Sequence, residues 1–86
     1  MLPSSILYVK STIHTDMREY IINRVFETRQ RAELTQEALA EAVGVTRQTI
    51  IALERGNYVP SVLLALKIAR CFKQPIEKIF TYHYEK

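Results

Sequence analysis

Cysteine occurs once, at Cys71. No internal disulfide can form, and a reducing compartment is the expected setting. No apolar run approaches the ~20 residues that cross a bilayer. The first residues lack the charged start, apolar centre and small-residue cleavage site of a secretory signal. Glycine occurs only at Gly44 and Gly56, which leaves no glycine-rich phosphate loop. His14, His83 and Cys71 lack metal-ligand spacing, and Cys71 within an apolar helical stretch reads as a small core residue. No Ser, His and Asp set implies a shared pocket. Neither cofactor nor metal is therefore expected, and an enzyme is the least favoured class. Charge is also modest: 12 Lys and Arg against 9 Asp and Glu leave a net +3, far below a histone-like binder. Any case for a nucleic-acid partner must rest on where residues are placed. With 48% hydrophobic residues in 86, the composition is that of one small folded domain with a modest core, for which self-association or a ligand would add stability.

The most informative stretch is Thr35 to Gly56, T-Q-E-A-L-A-E-A-V-G-V-T-R-Q-T-I-I-A-L-E-R-G. It contains two short helical patterns, each with its own start signal. Thr35 and Thr46 are good N-caps, since a hydroxyl there accepts from a backbone N–H that has no helical partner. Leu34 with Leu39, and Val45 with Ile50, are spaced as hydrophobic staples. Gly44 sits between the helices, where a left-handed C-terminal residue is needed. Ala38, Leu39, Ala42 and Val43 form the expected apolar stripe of the first helix; Ile50 and Leu53 face inward from the second, with Val45. Arg47, Gln48 and Ile51 are left on the outer face near the start of the second helix. Arginine can bond guanine bidentately, glutamine adenine, and an apolar group can touch a thymine methyl. Two helices joined in this way, with such a face exposed, point to a helix-turn-helix that reads the DNA major groove.

These residues, with Pro60-Ser61, Ala65-Leu66-Lys67-Ile68-Ala69 and Ile76-Glu77-Lys78-Ile79-Phe80, resemble the XRE (phage Cro and repressor) helix-turn-helix family. The similarity covers roughly residues 25–80. It implies an all-α, five-helix lambda-repressor-like domain over residues 17–86, and a sequence-specific, duplex-DNA-binding regulator acting as a homodimer. Most such regulators are bacterial repressors, found in the cytoplasm at the nucleoid. By resemblance Gln36 contacts a phosphate, and Arg29 of the first helix pairs with Glu54, a carboxylate unsuited to face DNA. Some small family members also pair their termini as an antiparallel β ribbon; Tyr20-Ile21-Ile22 and Phe80-Thr81-Tyr82-His83-Tyr84 have the composition for it. Two positions depart from the family: Thr28, where an aliphatic residue is usual, and Ala52, where relatives carry a longer polar reader.

The expected DNA contacts are Gln36, Thr46, Arg47, Gln48, Thr49, Ile51, Ala52, Arg55, Asn57 and Tyr58, the last three from the loop after the reader helix. Asn23 is the expected cap of a first helix running to about Glu33. Ser61 caps a fourth, residues 62–72, with Leu63, Leu66, Ile68, Ala69 and Phe72 assigned to the core. Pro75 opens a fifth, whose Ile76, Ile79 and Phe80 have no later helix to cover them and form the expected dimer interface. Residues 1–16 have no counterpart in the family. They are read as an extension of unknown role: an added edge strand, an arm for a protein partner, or a translated leader. Such an arm would fit an antitoxin, or a phage-type or restriction controller, that binds both DNA and a protein.

Overall fold

The computed structural model describes residues 7–10 and 19–85. In chain order these form β1 (Leu7–Lys10), β2 (Glu19–Asn23), α1 (Val25–Arg31), α2 (Gln36–Val43), α3 (Arg47–Glu54), α4 (Val62–Phe72), a single 3-10 turn (Ile76–Lys78) and β3 (Phe80–Tyr84). The molecule is mostly helical, with one three-stranded antiparallel sheet in the order β1-β2-β3. Glu19 lies opposite Tyr84 and Asn23 opposite Phe80, so the two ends of the helical region meet in one ribbon. Leu7–Lys10, within the segment that has no family counterpart, adds its backbone to the other edge of β2. The rest of residues 1–16 lies outside the described residues, as does any protein-binding role assigned to it.

Local chemistry accounts for most helix boundaries. Thr35, Thr46 and Ser61 each take an extended conformation, and each side chain accepts from the backbone N–H three residues on: Ala38, Thr49 and Leu64. Gly44 closes α2 at φ 75°. A Cβ placed there would lie 4.0 Å from Lys67 Nζ, ordinary contact; the left-handed backbone, not crowding, is what requires glycine. Gly56, at φ 80°, closes α3: its N–H donates to Leu53 O, and that of Asn57 to Ala52 O. These are the two bonds of a Schellman ending. The same role falls on non-glycine residues after α1 and α4, where Glu33 and Lys73 hold φ of 58° and 56°.

Several expectations need correcting. The fifth helix is one 3-10 turn, because β-prone Phe80 to Tyr84 continue directly into the strand that pairs with β2. The first helix stops at Arg31. Asn23 lies one residue before the cap position, yet its Oδ1 accepts from Val25 N at 3.0 Å. In α2 the third inward residue is Ala40, whereas Ala42 is exposed. In α4 the buried stripe is Leu64, Ala65, Ile68 and Ala69, while Leu63 and Leu66 face solvent. A run as uniformly aliphatic as V-L-L-A-L offers no polar residue to mark the outer side. The core joins Val25, Leu39, Val43, Ile50, Leu53, Leu64, Ile68 and Ile79, with Val45, Cys71, Phe72, Ile76 and Phe80 packed against it.

Candidate nucleic-acid interface

The core fixes α3 by Ile50, Leu53 and Glu54, spaced three and four residues apart on its inner side. What remains outward follows from that. Arg47 and Gln48 are exposed, Thr49, Ile51 and Ala52 half-buried, and Arg55, Asn57 and Tyr58 exposed beyond the helix end. Thr46 is exposed but already engaged, since its hydroxyl accepts from Thr49 N at 3.3 Å and lies 3.1 Å from Thr49 Oγ1.

Behind this face lies a buried polar network. Arg29 is 7% exposed and Glu54 4%. Arg29 Nε donates to Glu54 Oε2 at 2.6 Å, and a terminal guanidinium nitrogen donates to Oε1 at 3.1 Å. The third guanidinium nitrogen donates to the carbonyl of Leu34 at 2.9 Å. Phe26 lies under the guanidinium, 5.4 Å from ring centroid to Cζ. With every polar direction answered, the charges are held without an orphan, the condition under which a buried pair is tolerated. Gln36, at the first position of α2, donates from Nε2 to Glu54 Oε1 at 3.1 Å. Its Oε1 receives Arg47 at 3.5 Å, a long bond near the geometric limit. Side chains from α1, α2 and α3 are thus linked in sequence, from the interior to the outer face.

Arg29, Thr35, Gln36, Glu37 and Arg47 line an open cleft of about 310 Å³ at the N-terminus of α2. Two guanidinium groups and the unpaired N–H groups of a helix start favour an anion, and a backbone phosphate has that chemistry. Gln36 is therefore half structural: one amide hydrogen of its Nε2 is taken by Glu54, leaving a second donor for the cleft.

Ile76, Ile79 and Phe80 do not form an open surface. Ile79 is fully buried, and Ile76 and Phe80 pack on the same core, so the chain itself covers the seam expected there. The exposed apolar side chains lie elsewhere, at Tyr58, Val59, Val62, Leu63 and Leu66. Sequence reading also missed the second bond of Asn23, whose Nδ2 donates to Leu53 O at 2.8 Å. Asparagine ahead of a helix signals a cap, but nothing local signals a partner thirty residues away. No group of His, Cys, Asp and Glu among the described residues is placed to hold a metal, and no described helix is long and apolar enough to cross a membrane.

Two capped helices at a glycine-closed turn, with a polar outer face on the second, define the class of helix-turn-helix DNA-binding proteins. The match to known proteins agrees: residues 25–79 fit the family model described as helix-turn-helix, and the chain belongs to that family, in its XRE-type branch. The chain is 55% identical over 58 residues to YgzD of Bacillus subtilis, an uncharacterized HTH-type transcriptional regulator, covering 67% of this chain and 88% of that one. An uncharacterized HTH-type transcriptional regulator of Methanothermobacter thermautotrophicus is 62% identical over 55 residues, covering 63% and 80%. One from Archaeoglobus fulgidus is 51% identical over 63 residues, covering 73% and 89%. The chain is a DNA-binding transcriptional regulator, of a family that is generally non-enzymatic.

Proposed function

We propose that the protein is a sequence-specific repressor that binds duplex DNA as a homodimer, with α3 in the major groove of each half-site. The observation that carries this reading is the division of α3. Its inner side is consumed by Ile50, Leu53 and Glu54, leaving Arg47, Gln48, Ile51 and Ala52 outward on a rigid, capped rod. Gln48, free of any bond to its own domain in this arrangement, is the main base reader, and adenine is its natural partner. Ile51 and Ala52 contribute methyl contacts, for which thymine is the natural partner. Arg47 stands between groove and backbone. Phosphates lie in the cleft at the start of α2, with Gln36 and the backbone of α2 as donors, and along the loop of Arg55, Asn57 and Tyr58. Repression at the nucleoid follows from occupying a promoter.

Selection from random duplexes, followed by binding measurements on the enriched sequence, tests this reading. Wild type should enrich a two-part site with half-site centres about 34 Å apart. Gln48→Ala should relax preference at one position in each half. Failure to enrich any sequence, with binding equal on all duplexes, overturns the sequence-specific reading.

A further inference from the structure

Five large apolar side chains stay on the surface where the loop after α3 enters α4. Val62 is 74% exposed, Leu63 65%, Leu66 50%, Tyr58 38% and Val59 36%. Val62, Leu63 and Leu66 share one side of the helix, being three and four residues apart. Together the five expose on the order of 400 Å², an apolar patch large enough on so small a protein to mark a contact surface. Hydrocarbon has nothing to offer a phosphate, so the patch is not part of the backbone grip.

We propose that this surface docks a second copy of the chain, about a twofold axis crossing α4 near Leu63. That placement presupposes the duplex-DNA reading above, which sets where two reader helices must lie. Charge argues for self-pairing. The helix V-L-L-A-L-K-I-A-R-C-F carries no acid, and its exposed cations, Lys67 and Arg70, both follow the patch. In an antiparallel pairing about Leu63 the two basic halves point away from each other, so like charges never meet. Position argues the same way. Reader helix α3 ends at Glu54 and the patch begins four residues later at Tyr58. A twofold axis there sets both readers on one side of the dimer, as adjacent half-sites require. Area fixes the strength. Two patches remove about 800 Å², under the usual range for a stable complex, so the dimer is weak in solution and completed on a two-part site.

Sedimentation velocity on the full chain, without DNA, tests the seam. Wild type should associate with rising concentration, and Leu63→Glu with Leu66→Glu should remain monomeric at every concentration while keeping the wild-type circular dichroism spectrum. The same variant should bind a single half-site as wild type does, but lose roughly 100-fold or more on the full site, the avidity of two linked contacts. A gentler variant guards against misfolding: Leu63→Cys in a Cys71→Ser background should oxidise to a covalent dimer that still binds the full site. A wild type monomeric at all concentrations, a dimer that survives the double substitution, or failure of Leu63→Cys to cross-link would each overturn the seam. If the cross-linked dimer forms but ignores every duplex, the seam stands and the DNA reading falls.

Discussion

The two sides of α3 use the same eight residues for opposite purposes. On the inner side, Ile50, Leu53 and Glu54 are buried and every polar atom of Glu54 has a partner; on the outer side, Gln48 has none within its own domain and Arg47 only a long one. The inner side holds the rod at a fixed angle, and the outer side is left unsatisfied until something else arrives. Stability and recognition are therefore separable along one helix, and substitutions can be sorted by which they disturb.

The largest effect is expected at the junction of the two. Glu54→Ala would leave Arg29 charged, buried and without its main partner, which costs about 3–5 kcal/mol of folding stability. Denaturant unfolding would measure it, and a change under ~1 kcal/mol would mean that solvent reaches the guanidinium after all. A double substitution, Arg29→Met with Glu54→Leu, should recover most of that loss. On the outer side, Gln48→Ala and Arg47→Ala should each cost ~1–3 kcal/mol of binding at the preferred site with no change in unfolding midpoint. Equal weakening by Arg47→Ala on all duplexes would assign that guanidinium to the backbone. At the edge shared by both, Thr46→Ala removes a cap and should destabilise by ~1 kcal/mol. The smallest effect lies away from the helix: Lys73→Gly relieves a left-handed backbone and should stabilise by about 0.5–1 kcal/mol in thermal unfolding, leaving DNA binding untouched.

What could be read in the sequence was whatever is decided within a few residues. Thr35, Gly44, Thr46, Gly56 and Ser61 act on their own neighbours, and a helical period of Leu39 with Val43, or Ile50 with Leu53, needs no distant information. Positions settled by the assembled fold were harder. Leu63 and Leu66 are as hydrophobic as Leu64, and only packing decides which leucine turns inward. Pro75 starts a helix well, but pairing of Phe80 to Tyr84 with β2 ends it after one turn. Gln36 looked like an exposed polar residue; its bond to Glu54 exists because α2 and α3 cross there. Among candidate contacts, the outward set on α3 followed from the inward one, since a helix of eight residues leaves few alternatives.

Asn23 ties the last residue of β2 to the carbonyl of Leu53, one residue from the end of α3. That amide makes the sheet a strut for the reader. Because β2 is itself clasped by the C-terminal strand, tension or trimming at either extremity of the polypeptide is transmitted to the pitch at which α3 meets its target. A purification tag is then not a neutral appendage: placed next to Tyr84, it pulls on the same lever that aims Gln48.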